Sequence, residues 1–272
     1  MLTTNATDTA TITTSSACVT TLPATYLQNA HREQVARWTA VDAQRLTLTW
    51  PGAGYVSCVC LYRSNLSSTA TWRVQVWADT TLTTALYDSG TVYANPPTPL
   101  GSLHWGVDPL GLGAYSDWDY TVSVLWFPPT LTDAITIDIA DPENPDGYVQ
   151  AARLFVGQYV EPAIGPSDGL TFGWSENTTQ SRTEGGSLRI ESGASWRRLA
   201  FDLREMQESD RMLFADFARR GGMRDDVFIS VFPDRGDELE RDYQLQARLV
   251  ASSNMQTNSP LRHNMPLSFE EV

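Results

Sequence analysis

Apolar and polar positions alternate along much of this chain. In Trp72-Arg-Val-Gln-Val-Trp77 an extended backbone puts Trp72, Val74 and Val76 on one side and Arg73, Gln75 and Trp77 on the other. That period of two predicts a strand with one face in a core. Ile135, Ile137 and Ile139 repeat it, with Thr136 and Asp138 outward. The β-branched and aromatic runs at 46–50, 55–62 and 120–127 predict further strands, separated by turn clusters. Five or more such strands predict an antiparallel sandwich over about residues 25–160.

The segment Glu161-Pro-Ala-Ile-Gly-Pro-Ser-Asp-Gly169 packs two Pro and two Gly into nine residues and predicts a boundary. Strand patterns resume at 186–191, 196–203, 226–232 and 243–250, and Pro266-Leu-Ser-Phe-Glu270 closes the sheet. One helix interrupts them at about 207–220. Ser209 is its expected cap, Met206, Leu213, Phe214 and Phe217 its apolar side, Arg219 and Arg220 its C-terminal charges, and Gly221-Gly222 its stop. The expected protein is all-β, with two jelly-roll-like β-sandwich domains, 25–160 and 161–272, the second carrying one packed α-helix. Residues 1–24, rich in Thr, Ser and Ala, read as a flexible or partner-ordered arm.

Composition narrows the functions. Of 272 residues 42% are apolar and nine are Trp, which fits a folded chain. The net charge is −13, and all 19 basic residues are Arg. Gripping duplex nucleic acid requires a basic surface that displaces counterions, so nucleic-acid binding is disfavoured. The odd cysteine count, Cys18, Cys58 and Cys60, does not close a disulfide framework, and Cys58 and Cys60 are expected as buried thiols on one strand face. No apolar run reaches membrane-span length, and the opening Met1-Leu-Thr-Thr-Asn lacks the basic start and apolar core of a signal peptide. Neither membrane insertion nor the usual secretory route is expected.

Candidate chemistry is sparse. Gly165-Pro-Ser-Asp-Gly169 matches G-x-S-x-G, yet a Pro-rich segment precedes Ser167 where a nucleophile elbow needs a strand, so an ordinary turn is the reading. His31, His104 and His263 lie far apart and in no zinc spacing. Asp141-Pro-Glu-Asn-Pro-Asp-Gly147 offers oxygens to a hard cation but departs from a calcium loop, so a solvated acidic turn is expected. Asp117 and Asp119 form no assignable glycosidase pair without a geometry. No catalytic residue, cofactor or metal is expected. Trp77, Trp105, Tyr115 and Trp118 fall near predicted loops or outward faces, where aromatic rings either stack sugars or anchor protein interfaces.

A family resemblance rests on Trp72-Arg-Val-Gln-Val-Trp-Ala-Asp79, Leu86-Tyr-Asp-Ser-Gly90, Ala152-Arg-Leu-Phe-Val-Gly157, Gly185-Gly-Ser-Leu-Arg-Ile190, Asp226-Val-Phe-Ile-Ser-Val-Phe-Pro233 and Glu240-Arg-Asp-Tyr243. These segments resemble tail-tip or baseplate structural proteins of long-tailed bacteriophages, distal-tail-like, and the N-terminal half is similar to galactose-binding-like jelly rolls. The resemblance implies a virion structural protein made in the host cytoplasm, assembling with other tail proteins into a ring of identical subunits or an adaptor. A carbohydrate-binding module for a host surface glycan is the alternative, and an esterase or glycosidase a third class.

Overall fold

The computed structural model describes residues 1–98, 101, 103–107, 113–166, 169–251, 254–259 and 262–272. Ser167 lies outside the described residues. The chain forms two compact units, one of residues 1–159 and 230–244, the other of 160–229 and 245–272.

The first unit is built on β1 (Thr11–Thr14), β2 (Ala36–Trp38), β3 (Gln44–Ser64), β4 (Thr71–Trp77), β5 (Ala85–Asp88), β6 (Val92–Tyr93), β7 (Thr121–Ala140) and β8 (Val149–Gly157). They join in antiparallel order β2-β8-β3-β7-β4-β5, with β1 added to β3 and β6 to β4. The patterns expected as separate strands at 46–50 and 55–62 are one strand, β3, and those at 120–127 and 135–139 are likewise one, β7. Their pairing slips register between Thr49 and Gly54 and between Val56 and Cys58. Pro51, Gly52 and Gly54 stand there on β3, and Pro128 and Pro129 on β7. Proline donates no ladder hydrogen bond and glycine tolerates sharp bends, so both strands bend at these positions while their pairing continues.

One half of β3 carries β8 at residues 58–64, and the other carries β1 at 46–49; the second half of β7 carries β4. The core between includes Leu46, Leu48, Val59, Leu61, Trp72, Val74, Val76, Ile135, Ile137, Ile139, Leu154 and Val156. The expected inward faces of β4 and β7 are therefore the buried ones. Thr136, outward as expected, is nevertheless covered: the Trp77 indole N–H donates to its hydroxyl at 3.0 Å. Cys58 and Cys60 are fully buried, and desolvation pushes both thiols far above their ordinary range.

Parts of the N-terminal segment, read as a flexible or partner-ordered arm, pack on the sheet. Leu2 is fully buried, β1 pairs with β3, and Leu2 bridges to Tyr159. Asn5 donates to the Leu154 carbonyl at 2.9 Å and accepts from the Val156 amide at 3.0 Å, while the Trp50 indole donates to the Ala6 carbonyl at 2.8 Å. The buried Arg153 guanidinium lies 2.7 Å from the Asp8 carboxylate. Thr-rich composition gave no sign of these long-range contacts, because each depends on β8 and β3 being in place.

The second unit holds an antiparallel sheet formed by β9 (Thr171–Glu176), β12 (Ser195–Met206), β13 (Val227–Ser230), β14 (Gln244–Leu249), β15 (Gln256–Ser259) and β16 (Arg262–Glu271). Its order is β13-β14-β16-β12-β9, with β15 on β16. Between β9 and β12 the chain runs out and back as the hairpin β10 (Thr179–Arg182) and β11 (Leu188–Glu191). Leu199, Phe201, Leu203, Phe228, Leu245, Leu267 and Phe269 are buried with Phe214 and Phe217 of α1 (Glu208–Arg220). The helix is where expected, but Gln207 is its N-cap residue, without a side-chain bond, and Ser209 lies inside it. Leu213, expected inward, is half exposed. The fully buried Arg197 guanidinium meets Glu271 with Nη2 to Oε1 at 2.9 Å and Nε to Oε2 at 3.1 Å. Such a pair is costly to break from one side, since the survivor is left as a buried charge.

A methyl group on Gly157 would sit 2.6 Å from the Thr4 carbonyl oxygen. Gly157→Ala is therefore expected to lift residues 1–10, raising their amide hydrogen exchange while β3 and β7 stay protected, and to cost about 1–3 kcal/mol of stability. Unchanged exchange at residues 2–10 would show that the N-terminal segment is not held at this contact.

Candidate functional site

Three segments of the first unit distant in sequence meet at one place. They are the end of β6 with Ala94–Pro96, the run Gly113–Tyr120 that leads into β7, and the excursion 230–244 containing α2 (Glu238–Asp242). The second and third are fixed locally before they are fixed by their neighbours. Ser116 Oγ accepts from the Gly113 amide at 2.9 Å, and the Trp118 amide donates to the Tyr115 carbonyl at 3.0 Å, curling the aromatic run into turns. Asp237 caps α2 by accepting from the Glu240 amide at 3.1 Å. The backbone at Asp234 and Gly236 has positive φ, 62° and 66°, which turns the chain ahead of that cap.

Glu240 holds that turn. Its Oε2 accepts from the Arg235 and Gly236 amides at 2.9 and 2.7 Å, and its Oε1 accepts from Gln244 Nε2 at 3.3 Å. Gln244 Oε1 in turn accepts from the Tyr115 hydroxyl at 2.9 Å, and Arg241 Nη1 donates to the Ala114 carbonyl at 2.6 Å. The loop is thus hydrogen-bonded to α2 and the start of β14 at two points. Burial raises the Glu240 carboxyl above its ordinary range, against the lowering effect of the two amides.

Between these segments lies a cleft of about 360 Å³ whose lining includes Tyr93, Asn95, Tyr115, Arg235, Asp237 and Gln244. Tyr93 keeps 55% of its surface exposed. A second cleft of about 300 Å³, lined by Ser68, Ser116, Trp118, Asp119 and Tyr120 among others, shares Asn95 and Tyr115 with the first. Volumes near 300 Å³ lie at the lower end of small-molecule sites, roughly 300–1,000 Å³. Aromatic faces set among a few planar polar groups suit a ligand with both apolar faces and many hydroxyls.

Of the four aromatics singled out in the sequence, the structure brings Tyr115 and Trp118 together, edge to face at 6.3 Å. Trp77 is elsewhere, its indole N–H committed to Thr136. Trp105 is 83% exposed in the turn 105–107 and is not among the residues lining either cleft. Tyr93, Arg235, Glu240 and Gln244 were not expected. Only Asp237-x-x-Glu240 carried a local signal, the spacing of a helix-start capping pair.

The other candidates resolve differently. Asp141, expected as a solvated turn residue, is fully buried and accepts from the Ser67 amide and the Asn144 amide group, both at 2.8 Å. Asp117 and Asp119 are exposed, as are His31 and His104, and His263 is buried beside the Thr257 hydroxyl at 3.1 Å. Among the described residues no group of three or more His, Cys, Asp or Glu side chains is placed to hold a metal ion. No helix of the described residues is long and apolar enough to cross a membrane.

No protein-family model and no curated protein matches the chain. Among solved structures it is similar to a chitosan-binding module of a chitosanase/glucanase from Paenibacillus sp. IK-5, with 15% identity and a TM-score of 0.42 over 57% of this chain and 99% of that one. It is also similar to the CBM32 of AlyQ in complex with 4,5-unsaturated mannuronic acid, at 15% identity and a TM-score of 0.38 over 58% and 99% of the two chains. The lectin domain of lectinolysin complexed with Lewis B antigen gives 12% identity and a TM-score of 0.40 over 59% and 100%. Overlaps this partial carry no argument about this chain.

The Glu240 network has a pH signature. A carboxyl whose folded pKa is raised stabilises the fold fully below its unfolded value of about 4.5, and that contribution is lost as pH rises through the folded value. The urea midpoint of the native chain relative to Glu240→Gln is therefore expected to fall as pH rises from 4.5 toward neutrality. Parallel profiles for the two proteins across that window would contradict the assignment.

Proposed function

We propose that this chain is a non-catalytic binding protein and that its first unit recognises a saccharide at the cleft between Tyr93 and Tyr115. The observation that carries this reading is the lining itself, Tyr93 and Tyr115 with the half-exposed Arg235 guanidinium at one rim, backed by the buried Asn95 and by Gln244, whose amide is committed to Tyr115 and Glu240. Sugar rings present apolar faces to aromatic side chains and hydroxyls to exposed polar groups such as a guanidinium. Of the three carboxylates lining the cleft, Asp234 is exposed and the other two have structural tasks. Asp237 caps α2 and pairs with Arg235 at 2.8 Å, and Glu240 is engaged by backbone amides. That division of labour supports binding rather than glycoside hydrolysis, which needs two carboxylates free to exchange protons or attack.

A second reading, a structural subunit of a phage tail tip or baseplate, draws support from the second unit. Every residue of β10 and β11 is exposed, and Leu188 and Ile190 on one face of that hairpin keep about half of their surface in solvent. An extended hairpin with exposed apolar groups suits a segment completed by a neighbouring subunit. The two readings are compatible, because a virion part that contacts a cell surface needs both a ligand site and an assembly surface.

On a glycan array the full chain is expected to retain a subset of glycans, and calorimetry with those glycans to show at least about tenfold weaker binding for Tyr93→Ala and Tyr115→Ala. Retained glycans that bind both variants as tightly as the native chain would place the site elsewhere. For the second reading, antibody-labelled electron microscopy of phage lysates is expected to mark tail ends; unlabelled particles would remove it.

A further inference from the structure

The second cleft is not a repeat of the first. Its floor is a pair of rings set between two guanidinium groups. The Arg241 guanidinium lies 5.1 Å from the Trp118 ring, Trp118 meets Tyr120 edge to face at 5.4 Å, and the Arg63 guanidinium lies 4.3 Å from the Tyr120 ring. Cations over aromatic faces at these distances attract the rings from both ends of the row, which holds Trp118 and Tyr120 in place without filling the space beside them. Tyr62 adds a further ring contact to Tyr120 at 5.9 Å. Such a floor is arranged before any ligand arrives, and little side-chain freedom remains to be lost on binding.

Hydroxyls and carboxylates edge this floor. Ser68, Ser116 and Asp119 line the cleft, and Asp119 and Ser116 are exposed. The Asn65 amide is occupied by Asp146 at 2.8 Å and the Tyr148 carbonyl at 3.0 Å, so it shapes the wall rather than offering a donor. Tyr115 and Asn95 line both clefts, which therefore abut. The Tyr115 hydroxyl is held by Gln244 and its backbone by the turn at 113–118, so this divider is fixed at both ends.

We infer that the two clefts are adjoining subsites of one site, and that its ligand is an oligosaccharide of at least two residues, laid across Tyr115 with one ring beside Tyr93 and the next over the Trp118–Tyr120 floor. The inference rests on the saccharide reading of the first cleft. Each cleft is near the smallest volume that small-molecule sites show, whereas the pair spans Tyr93 and the run of ring contacts Tyr115–Trp118–Tyr120 with polar groups on its margins. A single sugar ring leaves one cleft empty; two linked rings occupy both, and the second gains contacts without a second loss of translational freedom.

Calorimetric titration of the full chain tests this with glucose, galactose and N-acetylglucosamine, each against its β-linked di- and trisaccharide. The expected result is a gain of about tenfold or more from mono- to disaccharide in the series that binds. Ser68→Phe, whose ring would fill the second cleft, is expected to erase that gain. A monosaccharide bound as tightly as its di- and trisaccharide would overturn the two-subsite inference and leave the saccharide reading standing. Binding of none of the three series would overturn both. A gain that survives Ser68→Phe, in a variant melting at the native temperature, would place the second ring outside this cleft.

Discussion

The pairing of β3 with β7 is the constraint on which the first unit depends. Each strand runs about twenty residues, carries its own Pro or Gly positions where the register shifts, and keeps its partner on both sides of them. Every other strand of that sheet attaches to one of these two or to a strand that does. A slip of one residue would exchange the inward Leu46 and Leu48 for Arg45, Thr47 or Thr49, so burial fixes the register of that half of β3. The N-terminal segment is ordered as a consequence, because its anchors are Leu154 and Val156 of β8 and Trp50 of β3.

The same constraint places the candidate site. Strand β7 starts at Thr121, so the aromatic run before it emerges at one end of the sheet, beside the end of β6. The chain then returns much later, through residues 230–244, to complete the wall. Glu240 is central here: a carboxylate buried against two backbone amides and Gln244 fixes a turn with positive φ at Asp234 and Gly236, and Gln244 passes that order to Tyr115. Rigidity in the wall lowers the entropy lost when a ligand binds.

What was legible in the sequence is what depends on local period. The inward faces of β4 and β7, the buried pair Cys58 and Cys60, and the position of α1 followed from alternation or helical spacing. Legibility failed where distant segments decide. The Pro-Gly positions in β3 and the paired prolines in β7 look like turns and are bends within paired strands, since the partner strand is not visible in a local window. Residues 1–24 look like an arm because their anchors lie near residue 50 and beyond 150. Trp77, Trp105, Tyr115 and Trp118 look alike as aromatics near turns, and only the fold separates the pair at the cleft from one committed to Thr136 and one in an exposed turn. Tyr93, Gln244 and Arg235 had no local signal, because their role is created by juxtaposition.

The central claim is that one saccharide site is assembled from 92–96, 113–120 and 234–244. Hydrogen exchange of the full chain, with and without a glycan retained on the array, tests it most directly. The account predicts added protection concentrated in those three segments, with the hairpin at 179–191 unchanged. Protection confined to other segments, with these three unaltered, would contradict it.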